Sequence, residues 1–155
     1  LKIKKLFFVL VSVCLLTFSQ SAFASEASTK VIGVGDTLST AIPISLCTGS
    51  CSSIALPLQS NTDVDWFTWS NNTGSDKYTS INLSSPATAN YTVAYQIRYT
   101  NGALSTKVYA ADAGVGGFTT LNYILVPPGA TLYFEISARS SVDPTSNYNV
   151  LLTGF

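Results

Sequence analysis

From residue 42 onward, the apolar side chains recur every second position, and clusters of Gly, Pro, Asn and Asp interrupt them every eight to twelve residues. Tyr91, Val93, Tyr95, Ile97 and Tyr99 share one parity. Leu132, Phe134 and Ile136 share another, as do Tyr148, Val150 and Leu152. No window carries the 3.6-residue apolar period of an amphipathic helix, so the chain is committed to strands with one buried face. Strands are expected at 42–46, 53–58, 64–70, 77–84, 91–100, 104–111, 118–126, 131–138 and 147–153. Eight or nine short strands at this spacing predict an all-β fold, a two-sheet antiparallel β-sandwich of jelly-roll-like form. Asn101-Gly102 reads as a hairpin turn, because both residues tolerate positive φ. Pro127-Pro128-Gly129 reads as a second turn that ends the strand before it.

The first 24 residues read differently. Lys2, Lys4 and Lys5 precede an apolar run from Leu6 to Leu16, and Ala22-Phe23-Ala24 then gives a small-x-small cleavage pattern. That is the pattern of a secretory signal peptide, too short and wrongly flanked for a membrane anchor. The expected organisation is a signal peptide over 1–24, a leader over 25–41 and one sandwich domain over 42–155. The mature chain then has no membrane span and is exported. It keeps Lys30, Lys77, Arg98, Lys107 and Arg139 against all eight acids. Such a surface has no basic patch to neutralise a row of phosphates, which argues against nucleic acid as a partner.

Beyond residue 24 the cysteines are Cys47 and Cys51, in Cys-Thr-Gly-Ser-Cys. An isolated even pair in an exported chain is most simply a disulfide. Thr48-Gly49-Ser50 would form the tip of a first hairpin whose register the bridge pins. A redox-active pair normally spaces its cysteines by two and sits beside a helix, which this pair does not.

Both tryptophans lie in one stretch, Asp63-Val64-Asp65-Trp66-Phe67-Thr68-Trp69. Alternation puts Trp66 and Trp69 on opposite faces, so an aromatic stands on each side of that strand. One exposed tryptophan would make a binding surface. The tyrosines of 91–99 are either a platform of the same kind or a core layer. Thr92, Ala94, Gln96, Arg98 and Thr100 look solvent-facing and favour the core. The candidate ligand-binding side chains are Trp66, Trp69, Tyr95 and Tyr99.

The chain contains no histidine. This removes Ser-His and Cys-His nucleophile systems and most zinc sites. Hydrolysis would need a pair of carboxylates, and only Asp63 and Asp65 lie close in sequence. The same two acids, at a loop rich in oxygen donors, are candidate calcium ligands. The plainer reading has them hydrogen-bonding their own loop amides. No organic cofactor is expected. Gly114-Val115-Gly116-Gly117 lacks a following helix and a P-loop lysine, so it reads as a loop and not a phosphate cradle.

Three motifs together resemble the bacterial pre-peptidase C-terminal domain family. They are Gly35-Asp36-Thr37-Leu38-Ser39-Thr40-Ala41-Ile42, Asp63-Val64-Asp65-Trp66-Phe67-Thr68-Trp69, and Pro128-Gly129 followed by Tyr133 and Tyr148-Asn149-Val150. The resemblance covers most of the chain beyond residue 24 and weakens between Tyr91 and Thr120. It implies a β-sandwich without catalytic activity that aids an attached secreted enzyme. It also implies a calcium site at Asp63 and Asp65, completed by an acidic leader. Here the leader offers only Glu26 and Asp36, and the expected organisation includes no attached peptidase.

The expected function is therefore a secreted non-catalytic module that binds an extracellular polymer or surface, such as a polysaccharide, cell wall or matrix protein. A structural or self-assembling matrix or coat protein is the alternative, suggested by low charge and abundant Ser, Thr and Asn. A carboxylate-dependent hydrolase is the remaining class.

Overall fold

The computed structural model describes Gly33 and residues 35–155. The expected signal peptide over 1–24 and most of the expected leader over 25–41 lie outside the described residues. Among the described residues no helix is long and apolar enough to cross a membrane.

Nine strands form. They are β1 (Ile42–Pro43), β2 (Ile54–Leu56), β3 (Val64–Ser70), β4 (Lys77–Ser84), β5 (Asn90–Arg98), β6 (Val108–Tyr109), β7 (Phe118–Val126), β8 (Thr131–Ser141) and β9 (Tyr148–Gly154). A short 3-10 turn, Leu38–Thr40, precedes them, and its Thr37 N-cap forms a reciprocal capping box with Thr40. The strands pack as two sheets, ordered β1-β3-β8-β5-β6 and β2-β9-β4-β7. The all-β sandwich follows as expected from the period-two pattern.

All pairings between these strands are antiparallel except β1 with β3, which run parallel. Gly35 prepares that contact. Its carbonyl accepts from Trp66 N at 2.7 Å, at φ +89°, and a Cβ there would stand 2.9 Å from the Trp66 carbonyl oxygen. Only glycine fits a left-handed backbone pressed this close to a neighbouring strand.

The core lies between the sheets. Phe67 and Phe134 stack with centroids 5.1 Å apart, and Tyr91 meets Tyr148 edge-on at 6.1 Å. Around them Leu58, Ile81, Leu83, Val93, Val126, Leu132, Ile136, Val150 and Leu152 are fully buried. Each such side chain contributes about 1.5–3 kcal/mol through removal from water.

Two local expectations are corrected. The first concerns the disulfide, which forms between Cys47 and Cys51 with Cα atoms 5.9 Å apart but does not close a hairpin. β1 belongs to one sheet and β2 to the other. The bridged loop is the crossover between them, and Cys47 is held by β9 through bonds to the Leu152 carbonyl and from Gly154 N. β1 and β2 are only two and three residues long, and Pro57, which has no N–H to donate, directly follows β2.

The second concerns 104–111. The Asn101-Gly102 turn forms as expected, with Tyr99 N bonding Ala103 O. The strand after it breaks up, because Ser105 Oγ accepts from Ile97 N at 2.9 Å in place of a backbone carbonyl. Pairing with β5 resumes only at Val108–Tyr109.

Candidate functional site

β3 carries the expected residues and splits them between different environments. Asp65, Phe67 and Trp69 face the core, while Val64, Trp66 and Thr68 face outward.

At the start of β3 three carboxylates converge. Asp36, Asp63 and Asp65 each offer an oxygen within 4.8 Å of the others. Each is also held by one hydrogen bond to its Oδ2. Asp36 accepts from Gly33 N at 3.1 Å, Asp63 from Gln59 N at 2.7 Å, and Asp65 from the Tyr148 hydroxyl at 2.5 Å. Asp36 Oδ1 is buried with no hydrogen-bond partner among the described residues. Burial pushes the Asp65 carboxyl up to about 6; Tyr148 opposes this, and the charges of Asp63 and Asp36 add to it. Tyr148 is raised by its own burial and by Asp65, so it remains a donor.

The loop-amide reading is correct for Asp63, and Asp36 adds a third acid that spacing alone did not bring to the pair. Two buried carboxylates and a half-buried third, which carries an orphaned oxygen, fit a hard divalent cation with oxygen ligands. Asp36, Asp63 and Asp65 would hold calcium. It would supply charge neutralisation and tie the segment before β1 to β3.

The four aromatic candidates do not form one platform. Tyr95 packs against the core. Tyr99 sits just past the end of β5, exposed over 39% of its surface. Trp66 lies on the outer face under Lys107, whose Nζ is 4.8 Å from the ring centroid and 2.8 Å from Glu135 Oε2. This ammonium also approaches the Tyr109 ring at 5.9 Å. Trp66 is thus largely engaged by the protein itself.

Trp69 differs. It is the last inward-facing position of β3, where the sandwich opens at its rim. It is half-buried and borders a cleft of about 660 Å³. Leu46, Thr48, Asn72, Thr73 and Lys77 also line this cleft. Its walls come from the segment after β1, the end of β3 and the start of β4. A flat ring among hydroxyl and amide groups can stack on a sugar or peptide plane and hydrogen-bond its edges. Sequence reasoning found Trp69 but not Lys77, whose place at the cleft depends on the β3–β4 connection.

A further apolar group was not foreseen. Tyr123 has φ +57° at a bulge where β7 slips against β4. Its ring meets Phe155 edge-on at 6.0 Å, and both are exposed. The parity of 118–126 gave no sign of that bulge.

By sequence, no family model and no curated protein matches this chain. By structure, it is similar to the pre-peptidase C-terminal domain of collagenase from Bacillus anthracis. That match has a TM-score of 0.52 and 18% identity, and covers 72% of this chain and 93% of that one. The structure of infectious bursal disease virus Gx strain aligns at a TM-score of 0.39 and 11% identity, over 65% of this chain and 28% of that chain. The latter carries no argument. The resemblance read from the Gly-Asp, Asp-x-Asp-Trp and Pro-Gly motifs is thus met by a shared β-sandwich fold with the collagenase domain.

Proposed function

We propose that this chain is a secreted, non-catalytic β-sandwich module that binds an extracellular polymer or surface through the Trp69 cleft. The observation that carries this reading is the cleft itself: a half-buried tryptophan flanked by hydroxyl and amide side chains at an open end of the sandwich. Export is supported by the signal-like pattern of residues 1–24 and by the disulfide. Absence of catalysis is supported by the placement of the acids. None of the acids among the described residues lines the cleft, so these supply it with no carboxylate pair of the kind hydrolysis of a glycosidic bond requires. The test is co-sedimentation of the folded protein with cell wall, chitin, cellulose and collagen. Retention on one of them, lost in Trp69→Leu, is the expected result; no retention on any polymer refutes the reading.

One observation favours the alternative of an assembling coat or matrix protein. β7 is an edge strand with neither charge nor proline from Phe118 to Val126, and Phe118, Tyr123 and Leu125 are exposed on it. Uncharged long edges invite strand addition from another chain. Sedimentation at high concentration separates the two readings, since a monomer excludes assembly.

A further inference from the structure

Lys77 stands apart from the other cations of the described chain. Lys107 is paired with Glu135, and Arg139 lies 3.9 Å from Asp112. Arg98 stacks over Tyr133 at 5.0 Å from its centroid. Lys77 makes no ion pair and no aromatic contact among the described residues, and it lines the cleft beside Trp69. It opens β4 half-exposed. Asp76, its neighbour in the chain, is exposed but does not line the cleft, and neither does any other acid among the described residues.

Resting on the reading of this cleft as a polymer site, we infer that its ligand is an anionic polysaccharide. A sugar ring would lie against Trp69, and its carboxylate or sulfate would meet Lys77. The Thr48 hydroxyl and the Asn72 amide supply donors and acceptors for sugar hydroxyls, and Thr73 Oγ1, whose proton goes to Asn71 Oδ1, supplies an acceptor. The positive charge is local to the cleft, because acids outnumber bases along the chain beyond residue 24. A basic surface at large would attract any polyanion; here one ammonium at one end of an aromatic cleft sets both the sign and the position of the charge. An ammonium bonded to an anion contributes more than a neutral hydrogen bond, enough for about tenfold in affinity.

The experiment is affinity electrophoresis of the whole chain in gels containing one of two matched pairs. Polygalacturonate is compared with its fully methyl-esterified form, and dextran sulfate with dextran. Within a pair the backbone is shared and only the anion differs, so the two pairs tell carboxylate from sulfate. Expected is a preference of about tenfold for the charged member of at least one pair, reduced by added salt. Lys77→Met should abolish that preference and its salt dependence, Lys77→Arg should keep both, and Trp69→Leu should lose binding to either member. Equal binding of charged and neutral polymers, or a preference that survives Lys77→Met, overturns the inference while leaving the cleft as a polymer site. Binding that survives Trp69→Leu, or no binding to any polymer here or in co-sedimentation, overturns the cleft reading and the inference with it.

Discussion

Tyr148 on β9 donates a 2.5 Å hydrogen bond to Asp65 Oδ2 on β3, joining the two sheets through the interior of the sandwich. Both residues are buried, so neither group has water to turn to if the other is removed. Tyr148→Phe should destabilise the domain by about 1–3 kcal/mol at pH 7, the cost of a buried acceptor left unpaired. Urea unfolding with an unchanged slope would measure it.

The raised carboxyl of Asp65 gives a pH signature. Its value of about 6 in the folded protein lies above the ordinary 3.8. Between those values the native state holds a proton that the unfolded chain has released. Stability of the metal-free protein therefore falls as pH rises from about 4 to about 6, and levels off above. Asp65→Asn should flatten this segment of the profile. Melting temperatures across pH 3.5–7.5 in chelator test it, and a wild-type profile rising through that window would contradict the assignment.

Calcium should reverse that loss. A cation among Asp36, Asp63 and Asp65 removes the repulsion that ionisation creates, and binding to the native state alone stabilises by about 2.7 kcal/mol at a hundredfold excess over Kd. The expected result is a melting temperature several degrees higher with millimolar calcium than with chelator at pH 7. Asp36→Asn should lose most of the difference. A melting temperature indifferent to both additions clears the cluster of metal binding.

The disulfide closes a small loop, so reduction should cost no more than about 2 kcal/mol on the chain-entropy account. Its placement between β1 and β2 sharpens the expectation. Cys47→Ser with Cys51→Ser should loosen the crossover between sheets, leaving the β3–β8 and β4–β9 ladders intact. Hydrogen exchange that rises only around 44–56 would show this; uniform loss of protection would not.

Much of this fold was legible in the sequence because period-two patterning reports which face is buried. β3, β4 and β7 fall where alternation places them. Partners are another matter. β1 and β2 look like a hairpin joined by Cys-Thr-Gly-Ser-Cys, yet they enter different sheets, since the choice depends on the edges of β3 and β9. Alternation puts the two tryptophans on opposite faces but gives no sign of which stays open. Lys107, far along the chain, covers Trp66, and the open rim of the sandwich leaves Trp69 half-exposed. Asp36 was visible as an acid in the leader, but its arrival beside Asp63 and Asp65 depends on Gly35 pressing against Trp66.

Asn71 shows the same limit at one residue and supplies a strict test. In sequence it is one of two adjacent asparagines in a polar loop; in the structure Asn71 is fully buried and Asn72 is exposed. Its Nδ2 donates to Ser75 O at 2.8 Å and Val126 O at 2.7 Å, and its Oδ1 accepts from Thr73 N and Thr73 Oγ1. Its backbone bonds Ala130 O and Gly129 N. The side chain therefore fastens the β3–β4 loop to the end of β7, while the backbone of the same residue holds the turn into β8. Asn71→Ala would strip the buried Val126 carbonyl and the part-buried Ser75 carbonyl of a donor and cost about 2–4 kcal/mol. Asn71→Asp is nearly isosteric but puts carboxylate oxygens against those carbonyls, so at pH 7 it should cost more than alanine, and less as acid protonates it. Asn72→Asp should stay within about 0.5 kcal/mol of wild type. Urea unfolding of the three variants checks the order, and an Asn71→Asp as stable as Asn72→Asp would refute the role given to this side chain.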